Sequence, residues 1–243
     1  MSRLKPSIDV IVPVYNEVAC VAELYARLRQ SCPNAQLIFV DNASTDGTCE
    51  LLASLDDVTL VRHSENLGYG RSLRDGVRAG NGDRVVMIDA DLEYHPEDIP
   101  ALIAALAHAD AVYGSRFSEA GVKPTQMALS RRAGNALVSS AFGVLFGQPL
   151  TDLYTGLRAV RRDALHAVPL HCDGFEFVLE LAARLAQAEC TLAEVPVHYT
   201  AREHGVSKMR HARELFKFAR YLLQLKLARG TYDHVPASSS LSP

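Results

Sequence analysis

The sequence predicts an α/β protein with a mostly parallel central sheet and helices on both faces. Three observations predict it. Short β-branched runs alternate with amphipathic stretches through the first hundred or so residues, at the spacing of strand–helix units. The runs are mostly apolar, as strands buried on both faces are. Three of them end in polar motifs, Tyr15-Asn16-Glu17, Asp41-Asn42 and Asp89-Ala90-Asp91, and in open parallel sheets ligands sit beyond the carboxyl ends of the strands.

The elements follow in order. Ile8–Val14 reads as a buried strand, and Glu17 to Gln30 carries a helical stripe at Val21, Leu24, Tyr25 and Leu28. Leu37–Val40 is the second strand. Ser44 and Thr45 precede a helix over 46–54 and are its expected caps. Val58–Val61 is the third strand. The glycine-punctuated loop Asn66-Leu67-Gly68-Tyr69-Gly70 opens a helix from Arg71 to Ala79, and Val85–Ile88 runs straight into Asp89-Ala90-Asp91. Beyond Pro100 come an alanine-rich helix to Ala109, a strand at 111–114, a loop at 118–126 and a long helix over 127–146. A helix near 176–188, a strand over 193–199 and a helix over 208–229 complete the chain. The Ser/Pro-rich end, 233–243, reads as a disordered tail.

The 243 residues suffice for one large domain, and 48% apolar with 22% charged residues argues against wholesale disorder. A formal net charge of -3 excludes a generally basic nucleic-acid binder. Five scattered cysteines, none in a CxxC pair, fit a reduced compartment better than a disulfide framework or zinc site. The amino terminus has no signal-peptide core, so a cytoplasmic protein is expected. The 19 uncharged residues from Ala133 to Thr151 contain three glycines and several polar residues, which reads as a buried or interfacial helix and not a membrane span.

Asp89 and Asp91 flank one small residue directly after a buried strand. Alternate side chains of an extended chain share a face, so both carboxylates can enter one pocket. Two ionised carboxylates that close repel unless a cation neutralises them, and Mg2+ or Mn2+ suits oxygen ligands with positions left for phosphate. Glu93, next in the alternation, is the expected third ligand.

In this context the chain resembles the family-2 glycosyltransferases, in the branch containing dolichyl-phosphate mannosyltransferase. Seven pieces in the family's order carry the resemblance: residues 11–17, 41–48, 66–70, 89–96, Gly114-Ser115-Arg116-Phe117, Asp152 to Ala159, and Gly174-Phe175-Glu176-Phe177. Together they cover about residues 8–210. The resemblance implies a GT-A fold with a Rossmann-like, nucleotide-binding amino-terminal half, a nucleotide-diphosphate sugar donor (GDP-mannose or a UDP-sugar) and a divalent cation. It assigns Pro13, Tyr15 and Glu17 to the base and ribose pocket and Asp41 to the base. Asp46, Arg71 and Ala90 join the donor site, with Asp89 facing ribose and metal and Asp91 metal and diphosphate.

Arg116, Arg131 and Arg202 lie in segments with few acidic residues nearby in sequence, and arginine is the natural bidentate ligand of phosphate. The resemblance implies that these three, with Asn135 and Lys208, hold an acceptor phosphate. The expected reaction is inverting transfer to a polyprenyl or dolichyl monophosphate at the cytoplasmic membrane face; transfer to a sugar or small-molecule hydroxyl is the alternative, with Asp152 or Glu176 as base. Residues 1–207 are expected to form the catalytic domain. Residues 208–232 are expected to form a basic amphipathic helix suited to peripheral membrane contact, with seven Lys/Arg and only Glu214 acidic over 208–229.

Overall fold

The computed structural model describes residues 7–117, 129–200 and 220–227, without the side chains of Ser130 and Arg131. The amino-terminal half alternates as the periodicity requires: β1 (Ile8–Val14), α1 (Val18–Ser31), β2 (Gln36–Asp41), α2 (Thr48–Ala53), β3 (Val58–Arg62), α3 (Tyr69–Ala79) and β4 (Arg84–Met87). A 3-10 turn at Pro96–Asp98 leads into α4 (Ile99–Ala105). Then come β5 (Ala111–Ser115), α5 (Leu129–Phe146), β6 (Arg158–Arg161), α6 (Arg162–His166), α7 (Phe177–Gln187) and β7 (Leu192–Pro196). Residues 220–227 are helical.

All seven strands form one sheet in the order β3-β2-β1-β4-β6-β5-β7. Every pairing is parallel except those of β6, which runs antiparallel between β4 and β5. Side chains alternate across β1, so Ile11 faces one core while Val10, Val12 and Val14 face the other. The first core is closed by α3, α5, α6, α7 and residues 220–227, the second by α1, α2 and α4. Helix α3 lies so close to the sheet that a Cβ on Gly76 would run into Ile11; glycine there sets the depth of the helix.

Two local features differ from the sequence reading. Ser44 and Thr45 do not cap α2: its cap is Gly47 at φ 92°, and the Asp46 carboxylate takes the Thr48 N–H instead. Strand β6 and helix α6 were not assigned. Four residues reading Arg-Ala-Val-Arg carry no usable period, and tertiary pairing alone makes them a strand. The apolar side of the last helix packs in part on the first core, where Tyr221, Leu222 and Leu225 are buried. The rest of that helix, the tail and the 118–126 loop lie outside the described residues. No helix among the described residues is long and apolar enough to cross a membrane.

Candidate active site

The carboxyl ends of β1, β2 and β4 meet at one rim. Beyond β1 the chain turns through Asn16 at φ 55°, whose N–H donates to Ser44 Oγ (2.9 Å) and whose Oδ1 accepts the Thr45 N–H (2.8 Å). Asp46 ties the same two segments by accepting the Val18 N–H at 3.1 Å. Burial works against ionisation of Asp46, but bonds from the Thr48 hydroxyl and the Val18 and Thr48 N–H groups outweigh it and hold the carboxyl below its ordinary range. Pro13, Tyr15 and Glu17 line this corner, partly buried, with the buried Asp41 behind them accepting the Ser44 N–H at 3.3 Å.

Asn42 joins the second wall to the first. Its amide donates to Asn66 Oδ1 (2.8 Å) and accepts the Leu67 N–H (2.8 Å), fixing the Asn66–Gly70 loop. Side chains at Gly68 and Gly70 would strike the backbone of Cys172, Asp173 and Gly174, so both glycines are needed for the loop to seat against the segment before α7. Tyr69 stacks on Phe175 with ring centroids 5.1 Å apart. Arg71 is engaged by Asp75 at 2.7 Å.

Asp89 and Asp91 follow β4, both partly exposed, with the buried Ala90 between them. The Tyr69 hydroxyl donates to Asp89 Oδ1 at 2.8 Å, and a Cβ on Gly156 would collide with Asp89 Oδ2 and the Tyr94 ring. Burial, reinforced by the charge of Asp91, pushes the Asp89 carboxyl up to about 7. Leu92 adopts φ 62° between Asp91 and the expected third ligand, Glu93, whose N–H donates to Asp91 Oδ1 (3.1 Å) and whose charge acts on the Asp89 carboxyl. No group of three or more acidic, His or Cys side chains gathers into a metal cluster among the described residues. Asp89 and Asp91 alone, mutually repelling at a strand end, fit a Mg2+- or Mn2+-type cation that takes one or two protein carboxylates and completes its shell with water and phosphate.

The raised Asp89 value has a testable sign. An acid whose pKa is higher folded than unfolded favours folding most while protonated, so that contribution is lost as pH climbs from about 4 to about 7. Melting temperatures of the metal-free protein across that window should therefore carry a downward component with rising pH that Asp89→Asn lacks. Parallel curves for the two proteins would contradict this placement of Asp89.

Arg116 departs from the expectation that it has no counter-charge. Its Nε and Nη2 donate to the two oxygens of Asp152 at 2.6 and 2.8 Å, and its own N–H adds a third bond at 3.1 Å. The partner is 36 residues away in sequence, which is why local charge counting missed it. The guanidinium also lies 5.5 Å from the Tyr94 ring centroid and 5.3 Å from that of Tyr199, and the fork uses two of the five N–H donors of an arginine. Tyr94 and Tyr199 form an antiparallel bridge, the Thr200 N–H donates to Glu93 O (3.0 Å), and His95 bonds Thr200 Oγ1 (2.8 Å). The loop that follows the carboxylate pair is thereby clipped to the segment that enters residues 201–208. Asn135 spends its amide on the 151–154 turn, donating to Thr151 O (2.9 Å) and accepting the Tyr154 N–H (3.3 Å). The Arg131 side chain, Arg202 and Lys208 lie outside the described residues. Tyr69, Tyr199, Gly156 and Arg158 were not given roles from sequence, although three of the four stand inside the motif pieces themselves.

The family model described as Glycosyl transferase family 2 matches residues 9–168, and the chain belongs to that family: it is a glycosyltransferase. It is 34% identical over 210 residues to the undecaprenyl-phosphate mannosyltransferase of Micrococcus luteus, covering 82% of this chain and 86% of the relative. It is 32% identical to the polyprenol monophosphomannose synthase of Mycolicibacterium smegmatis, covering 90% and 88% respectively. Among solved structures, glucosyl-3-phosphoglycerate synthase from Mycobacterium tuberculosis with Mn2+, uridine diphosphate and phosphoglyceric acid superposes with a TM-score of 0.68 at 22% identity, over 95% of this chain and 80% of that one. The fold is GT-A.

Proposed function

We propose that this glycosyltransferase moves a sugar, of the mannose class named for both relatives, from a nucleotide-diphosphate donor to a polyprenyl monophosphate, with inversion, at the cytoplasmic face of a membrane. The observation that carries the reading is the clip between residues 93–95 and 198–200. It joins the carboxylate loop, where a sugar diphosphate would lie, to the start of the Arg202–Lys208 segment, where the acceptor phosphate would be gripped. The names of the two relatives, both lipid-phosphate enzymes matched over most of their length, support it.

The residue roles follow from chemistry. Pro13, Tyr15, Glu17, Asp41 and Asp46 would frame the base and ribose, with Tyr15 offering a ring face and the carboxylates accepting ribose or base N–H and O–H groups. Asp89 and Asp91 would hold Mg2+ or Mn2+, which when bound neutralises charge on the leaving diphosphate. A phosphate monoester is already anionic near neutral pH, so it needs no general base. Its oxygen attacks the anomeric carbon as the carbon–oxygen bond to the diphosphate breaks; the nucleoside diphosphate leaves with the electron pair, and in-line geometry inverts the centre. Asp152 is not poised as a base, being fully buried and closed by Arg116. Arg116, Arg131, Arg202 and Lys208 would orient the acceptor. An apolar face supports membrane contact: Leu129, Leu137 and Val144 on α5 stand exposed, as do Leu223 and Leu227, and Lys226 sits 5.3 Å from the Phe146 ring between them.

The test measures transfer to a short-chain prenyl phosphate and to neutral sugars, for wild type and Arg131→Ala. Removing Arg131 should cost about 1.5–3 kcal/mol in acceptor kinetics, with donor affinity nearly unmoved. Arg131→Lys should recover part of the loss, because a point charge does not reproduce the fork. Transfer to a neutral sugar that ignores the substitution, with none to prenyl phosphate, would replace this reading with the hydroxyl-acceptor one.

A further inference from the structure

Arg158 is the largest wholly buried side chain among the described residues. It lies on β6 directly opposite Met87 of β4, two residues before Asp89, and opposite Tyr113 of β5. Its Nη2 donates to the carbonyl of Thr155, in the turn whose Gly156 presses on Asp89. Its Nε and Nη1, like the Tyr113 hydroxyl, are buried with no hydrogen-bond partner. Of the two other buried arginines among the described residues, Arg116 is closed by Asp152, while Arg184 donates Nη1 to Gln187 Oε1 and has its Nε without a partner. A buried guanidinium without a carboxylate in contact is costly, so some charge nearby must favour it. Asp89 stands two residues beyond Met87 and against Gly156, next to the Thr155 carbonyl that Arg158 bonds. The Arg158 charge draws the Asp89 carboxyl and the Tyr69 and Tyr113 hydroxyls toward ionisation.

We propose that Arg158 is the internal counter-charge of the Asp89–Asp91 pair, a positioning residue fixed beneath the donor site that sets the charge a cation and a diphosphate meet there. This rests on the donor-site reading above. A fixed positive charge opposes a divalent cation and favours a polyanion, so removing it moves the two affinities in opposite directions. Loss of packing, by contrast, would weaken both.

The experiment titrates Arg158→Met with Mn2+ alone, and with GDP and UDP, each alone in chelator, against wild type and Arg158→Lys. Mn2+ should bind the methionine variant on the order of tenfold tighter and the better-binding nucleotide on the order of tenfold weaker, while lysine, keeping the charge, stays near wild type. Unchanged Mn2+ affinity in a folded Arg158→Met, or both affinities falling together, would overturn the proposal. If Arg158→Met does not fold, the double variant Arg158→Met/Asp89→Asn decides: recovery of folding supports a charge pair, since both partners are then removed, and a second failure overturns it. A wild-type protein that binds neither Mn2+ nor nucleotide would remove the donor-site reading itself, and this proposal with it.

Discussion

Asp91→Ala should abolish turnover, by at least on the order of 10²–10³-fold, while leaving the melting temperature close to wild type. The asymmetry comes from what the side chain does. It is partly exposed, packs in neither core, and accepts the Glu93 N–H at 3.1 Å within its own loop. Its proposed work lies in the bound state, where it would hold the cation against the diphosphate. Excess chelator should stop the wild-type enzyme in the same way, and Mg2+ or Mn2+ should restore it better than Ca2+, whose larger shell suits a two-carboxylate site less well. Retained activity with a native melting curve would take Asp91 out of the site.

Asp152→Ala should do the reverse and act mainly on stability. It strips the partner from a guanidinium that is only 8% exposed, and stranding a buried charge costs about 3–5 kcal/mol. For a domain of this size that is a drop of roughly 6–20 °C in melting temperature. The Tyr94 and Tyr199 rings, set edge to face, return part of the loss through cation–π contact. Replacing both partners with apolar residues of similar volume should restore most of the stability. A single variant melting within a degree or two of wild type would show the pair to be of little structural weight.

The amino-terminal half was legible because its signals are local. Apolar runs, helical stripes and polar strand endings report on neighbours a few residues apart, and β1 through β4 emerged within a residue or two of their expected bounds. The pairing of Asp89 with Asp91 was legible for the same reason. What failed depends on distant partners or on backbone sign. The left-handed backbone of Leu92, between Asp91 and Glu93, was not legible, since leucine gives no warning of positive φ. Arg116 looked uncompensated because Asp152 stands far along the chain. Arg158 stands in a segment given no strand from sequence, and only the antiparallel insertion of β6 between two apolar strands buries it. Tyr69 sat in a quoted motif, yet its bond to Asp89 needs α3 and β4 to be side by side.

The place of β6 has a consequence for synthesis of the chain. Strand β4, which carries the carboxylate pair, finds its first neighbour already made, since β1 precedes it; its second neighbour, β6, begins 71 residues after Met87. At about 5–20 residues per second on the ribosome, that interval is about 4–14 s. Through it the nascent protein presents the open side of Val85, Val86 and Met87 as an unpaired, apolar edge, the kind of surface that recruits other strands. The strand that leads into the Asp89–Asp91 pair therefore gains from a chaperone's cover while translation runs on to its partner.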